Sequence, residues 1–113
     1  MSKFFISILS ISLFTSIALD AAVYKGQREF VRECVECHKT GQVFVATKNK
    51  KEWNAIMKNS GEKLVEIHLQ SKEKSAGPSH EYFQNKIFVK NLKHLRDFLF
   101  EYAGDSGNVP ACN

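Results

Sequence analysis

Cys34-Val35-Glu36-Cys37-His38 is the stretch on which the reading of this chain turns. Two thiols three positions apart, followed at once by an imidazole, make the C-x-x-C-H pattern of covalent haem attachment. The thiols add to the porphyrin vinyl groups as thioethers. The adjacent His reaches the iron from one face, so five residues supply both anchors and a proximal ligand. The chain has three Cys in all, and the motif commits two of them. The expected cofactor is one covalently bound haem c, with Cys34, Cys37 and His38 as its binding residues and His38 as the first metal ligand.

Two other chemistries use a C-x-x-C pair. A zinc site needs a second pair of ligands at close spacing, and Cys112, His68, His80 and His94 are scattered. A thioredoxin-like redox pair belongs in a βαβ setting, whereas the flanks of this motif read as helix.

The start of the chain supplies a compartment. Lys3 precedes an apolar stretch from Phe4 to Leu19, broken only by Ser and Thr, and Asp20-Ala21-Ala22 follows. This is the order of a secretory signal peptide, with cleavage after Ala21 or Ala22. The expected division is a signal peptide over 1–22 and a single domain over 23–113. No Cys lies near the boundary, so lipoprotein attachment is not indicated. The stretch is short for a membrane span, and no stable insertion is expected after cleavage. Covalent haem is added outside the bacterial cytoplasm, where a bare exported dithiol would oxidise. Both signals point to the periplasm.

The whole chain of 113 residues carries a formal net charge of +4. Cleavage would remove Lys3 and Asp20, one charge of each sign, and leave that value unchanged. So mild and dispersed a charge does not argue for nucleic acid; it suits a solvated surface or weak docking to an acidic redox partner. A domain this small buries a modest share of its surface and gains from a staple, which a covalent haem provides.

Periodicity predicts an all-α domain. Residues 24–33 read as a helix running into the motif. Lys51 to Lys58 carries Trp53, Ile56 and Met57 in i, i+3, i+4 relation. Asn59-Ser60-Gly61 ends that helix, and Ser60 can cap a third from Glu62 to Gln70. A polar loop from Ser71 to Ser79 contains Gly77-Pro78. The last helix is expected from about Lys90 to Ala103, with Leu92, Leu95, Phe98, Leu99 and Tyr102 in register and Gly104 as its stop. His94 falls beside Lys90, Asp97 and Glu101, on what reads as the polar side. No strand alternation or repeat appears.

Over Val23 to Ala103 the chain resembles a small class I cytochrome c. Gly26 and Phe30 stand eight and four residues before Cys34, where that family crosses its N-terminal and C-terminal helices, and Leu95 with Phe98, or Leu99 with Tyr102, fits the partner face. The resemblance implies a helical domain wrapped around one haem. It also implies a sixth ligand downstream, normally a Met ahead of the final helix. No Met follows Met57, which sits only 19 residues past His38 on an apolar helix face, a setting common for core filler. His80 lies in the loop before the last helix, 42 residues past His38, and is the expected distal ligand, with Met57 and His68 as alternatives. The family's Pro carbonyl for the proximal imidazole has no counterpart between His38 and Pro78.

The expected activity is single-electron carriage rather than catalysis of its own, because a haem with both axial positions filled exchanges an electron with little rearrangement. No paired carboxylates, Ser-His-Asp set or phosphate loop is evident. Periplasmic redox proteins are the expected partners. Small monohaem cytochromes similar to this chain accompany molybdenum enzymes such as sulfite dehydrogenases, and the apolar run of Phe83, Ile87, Phe88 and Val89 could serve docking or core. A haem-based gas-binding or sensing protein with a weak or open distal site is the alternative. Cys112, left over once the motif takes its pair, is expected as an accessible thiol able to link two copies.

Overall fold

The computed structural model describes residues 20–111. Within them every regular element is helical and no strand occurs. The chain order is α1 (20–33), the single turn α2 (Val35–His38), α3 (Gly41–Phe44), a 3-10 turn at Val45–Thr47, and α4 (Lys50–Leu69). A second 3-10 turn at Lys74–Ala76, α5 (Ser79–Phe83) and α6 (Lys86–Glu101) complete it. The signal-peptide segment falls mainly on residues outside the described ones; residues 20–22 already belong to α1. Among the described residues no helix is long and apolar enough to cross a membrane.

The crossing of α1 and α6 is the best-sealed part of the core. Phe30, Leu95 and Phe98 are buried, and the rings of Phe30 and Phe98 meet with centroids 5.3 Å apart. Gly26 makes the close approach possible: a Cβ there would stand 1.9 Å from the carbonyl oxygen of His94 and 2.7 Å from the Phe98 Cβ. No side chain fits in that space, so the expected role of Gly26 with Phe30 holds. His94, by contrast, is not on a solvated face. It is half-buried, and its Nδ1 is buried without a hydrogen-bond partner. One helical turn before Phe98, it shares the face that meets α1.

α4 is two helices joined by an elbow. Lys58 leaves helical ψ, and Asn59, Ser60 and Gly61 all take positive φ, at 54°, 59° and 70°. The expected stop at Asn59-Ser60-Gly61 is thus a left-handed turn, a conformation costly to most side chains. Gly61 is buried against Leu92 and Phe88 of α6, leaving almost no room for a Cβ. Asn49 caps the first half in a full capping box: its Oδ1 accepts from the Glu52 amide at 2.8 Å, and its own amide donates to Glu52 Oε1 at 3.2 Å.

α6 begins four residues earlier than the sequence predicts, because Asn85 caps it by accepting from the Ile87 amide at 2.9 Å. The apolar run then divides by helical period: Phe83 and Phe88 are core, while Ile87 and Val89 face solvent. The segment read as a loop is not loop throughout, since Ser79 to Phe83 forms α5 and carries His80. After α6 the tail folds back. Gly104 donates to the Lys48 carbonyl at 2.9 Å, Gln42 Nε2 donates to the Pro110 carbonyl at 3.0 Å, and Gln27 Nε2 to that of Ala111 at 3.2 Å. Cys112 lies outside the described residues.

Candidate functional site

The motif sits where α1 gives way to α2. Cys34 closes the last turn of α1 by donating its amide to Phe30 O at 2.8 Å, and its own carbonyl accepts from His38 N at 2.9 Å and Cys37 N at 3.3 Å. Positions i, i+3 and i+4 of a helical turn share one face, so the spacing of the motif gathers both thiols and the imidazole on one side. Both thiols are free. Cys34 is half-buried, and burial, followed by nearby Glu33 and Glu29, pushes its pKa up to about 12. It therefore stays a neutral thiol. Cys37 is exposed.

Lys39 ends the turn abruptly, with φ of 72° and ψ of −179°. This backbone region is almost reserved for Gly and costs on the order of 1–3 kcal/mol. The break sends the chain directly into α3, whose Phe44 stacks on the His38 ring with centroids 4.4 Å apart. Phe44 is in turn fixed edge-on by Trp53 of α4, at 5.8 Å. The Trp53 indole N–H donates to the Val45 carbonyl at 2.9 Å in the core.

A second imidazole lies edge-on beside the first. The rings of His38 and His68 lie 5.8 Å apart between centroids, with planes at 80°. Both are only partly buried. His68 stands on the second half of α4, where its Nδ1–H donates to the Leu64 carbonyl one turn back at 2.7 Å. A carbonyl can only accept, so this bond places a proton on Nδ1 and directs Nε2 to the other edge of the ring. Phe83 covers the other side of the His68 ring at 4.4 Å. Burial, then His68, then Lys48 lower the His38 pKa from its ordinary 6.5, which favours the neutral, ligand-ready imidazole.

His80 occupies the neighbouring position without meeting His38 in any of the described ring contacts. Its Nε2 donates to the backbone carbonyl of His68 at 2.8 Å. Met57 is buried in the core with Trp53 and Ile56. Of the three residues considered for the distal side, His68 is the one whose ring the fold sets against the proximal one. An open groove of about 480 Å³ follows the α4 elbow past Ala55, Asn59, Glu62 and Ile67, and neither motif cysteine nor His38 borders it.

Sequence reasoning missed two participants. Phe44, which stacks on His38, falls in a segment with no strong period, whereas Phe83, read as docking or core, is core and packs on His68. Glu29 is buried at 2% exposure, one position before Phe30. Its carboxylate accepts from Tyr82 Oη at 2.7 Å and Asn91 Nδ2 at 3.0 Å, and pairs with Arg32. Lying one turn after Gly26, it could have been placed on the crossing face by register alone. The Tyr82 pKa is driven up, first by burial and then by its bond to Glu29.

Among the described residues, no three His, Cys, Asp or Glu side chains converge as a cage for a bare metal ion. A macrocycle that brings its own ring nitrogens needs no such cage, and the residues present suit one: two free thiols, two imidazoles with centroids 5.8 Å apart, and Phe44 and Leu64 beside them. No protein-family model, no curated protein and no solved structure matches the chain.

Proposed function

We propose that this chain is a monohaem c-type electron carrier of the bacterial periplasm. The observation that carries the reading is the placement of free Cys34 and Cys37 on one helical face with His38, whose ring opposes that of His68. In this reading Cys34 and Cys37 hold the haem as thioethers and His38 is its proximal ligand. The bound haem supplies one-electron exchange between ferric and ferrous iron.

The chain's own residues hold that centre still. Phe44 fixes the proximal ring, Phe83 and Leu64 fix the opposing one, and the crossing of α1 and α6 anchors the helix that ends in Cys34. A centre that does not rearrange exchanges electrons with small cost. Its donors and acceptors are other redox proteins, in keeping with the modest net charge of +4, and a molybdenum oxidoreductase of sulfite dehydrogenase type is one such partner class. Carriage rather than gas sensing is favoured because an imidazole already stands opposite His38.

Potentiometric titration of the purified full chain, matured in a host with a haem c assembly system, tests this function. Reversible one-electron behaviour with a ferrous form indifferent to carbon monoxide is the expected result. Rapid, stoichiometric carbon monoxide binding by the wild-type protein would instead assign it to the gas-binding class.

A further inference from the structure

The identity of the second axial ligand deepens the haem reading and rests on it. We infer that His68, presented by the second half of α4, is the sixth ligand, and that His80 is a positioning residue that holds His68 through its backbone.

Three observations on separate elements converge. First, the two rings are close enough for a small outward shift to seat a metal between them. Bonds of about 2.0–2.1 Å to each of two imidazoles put the ring centroids roughly 6.4 Å apart, and those of His38 and His68 are 5.8 Å apart. Second, the tautomer suits ligation. The Leu64 carbonyl accepts a hydrogen bond from His68 Nδ1–H at 2.7 Å, so in the neutral ring Nε2 carries the lone pair a metal would use. Metal-bound histidines usually have their other nitrogen engaged in this way. Third, the competitors are placed elsewhere. His80, whose Nε2–H donates to the His68 carbonyl at 2.8 Å, makes no described ring contact with His38, and Met57 is 2% exposed within the core.

The fold explains why a His so near in sequence can reach across. The left-handed turn at Asn59, Ser60 and Gly61 redirects α4, so its second half returns toward the motif instead of continuing away from it. Gly61 seats the elbow on Phe88 and Leu92. His80 then ties α5 to the C-terminal end of α4, one residue from its last turn's end at Leu69. Phe83, on the same short helix, closes over the His68 ring. α5 thus acts as a clasp on the ligand and is not itself the source of the ligand.

The experiment uses the full chain matured with haem, in wild-type form and as His68→Ala, His68→Met, His80→Ala and Met57→Leu. Each is read by absorption, magnetic circular dichroism and carbon monoxide binding. Wild type should be low-spin with bis-imidazole character in the near infrared. His68→Ala should become high-spin and take up carbon monoxide stoichiometrically, with added imidazole restoring the low-spin spectrum. His68→Met, which keeps a ligand in place if the alanine variant fails to fold, should gain a sulfur-to-iron charge-transfer band and a higher potential. His80→Ala should stay low-spin with a broadened signal, and Met57→Leu should match wild type. A low-spin, carbon-monoxide-inert His68→Ala overturns the inference, as does loss of low-spin character in His80→Ala or Met57→Leu. A wild-type chain without covalent haem would overturn the underlying reading instead, and mass measurement separates the two failures.

Discussion

The α1–α6 crossing and the His38–His68 cleft are both built from aromatic side chains, yet one is finished by the polypeptide and the other is not. At the crossing, Phe30, Leu95 and Phe98 are buried to within 2% exposure, and the one space that could admit more is filled by the absence of a side chain at Gly26. At the cleft, Cys34, Phe44 and Leu64 are only partly covered, Cys37 is exposed, and both imidazoles reach solvent. On the proposed reading, the apolar and thiol groups left half-covered beside a well-packed core are what a bound haem would complete, so that folding stability would rest on the crossing and function on the cleft.

Truncations on the two sides should therefore differ in cost. Phe98→Ala empties a sealed site and should lose about 3–5 kcal/mol of stability in denaturant unfolding. Phe44→Ala, in the haem-free chain, removes a half-exposed ring and should lose less than half as much. Equal losses would break the distinction. Gly26→Ala should cost about 3 kcal/mol, because its methyl collides with backbone at His94 and not with a side chain that can turn away.

The Glu29 network links the two regions and sharpens the comparison through pH. Tyr82 donates to Glu29, and its folded-state pKa is raised above the ordinary 10.0. A raised pKa means that the stabilising contribution is fully present below about pH 10 and is lost as the pH climbs beyond it. Tyr82→Phe should be less stable than wild type by about 1.5–3 kcal/mol at neutral pH. The gap between the two should close in alkaline unfolding measurements; a gap that widens would mean that Tyr82 is not held neutral by the fold. The smallest effect concerns strain beside the ligand. Lys39→Gly should raise the melting temperature modestly, by about 1 kcal/mol of stability, since Gly accepts φ of 72° freely. A loss of stability there would show that the Lys39 side chain contributes more than its backbone costs.

What the sequence reveals and conceals follows from the range of each signal. The helical class and the break at Asn59-Ser60-Gly61 are periodic or local patterns, and each is found where the sequence places it; the Gly26–Phe30 crossing, which only the family resemblance implies, is present as well. The early start of α6 depends on the Asn85 cap, a single hydrogen bond that a run of polar residues hides. His94 reads as solvated beside Lys90 and Asp97 because the crossing angle, and not the charge pattern, decides which flank of α6 is covered. The choice among His68, His80 and Met57 is the least legible. On the proposed reading it turns on which of them the folded chain brings beside His38, a three-dimensional relation that spacing along the chain does not contain.

The most direct test of the central claim is the mass of the mature full-length protein after expression with a haem c maturation system, read alongside haem staining on a denaturing gel. The account predicts a mass exceeding the polypeptide by one haem, staining that survives denaturation, Cys34 and Cys37 both closed to alkylation, and loss of all three in a Cys34→Ala, Cys37→Ala double variant. A folded protein at the bare polypeptide mass, with both motif thiols alkylated, would contradict it.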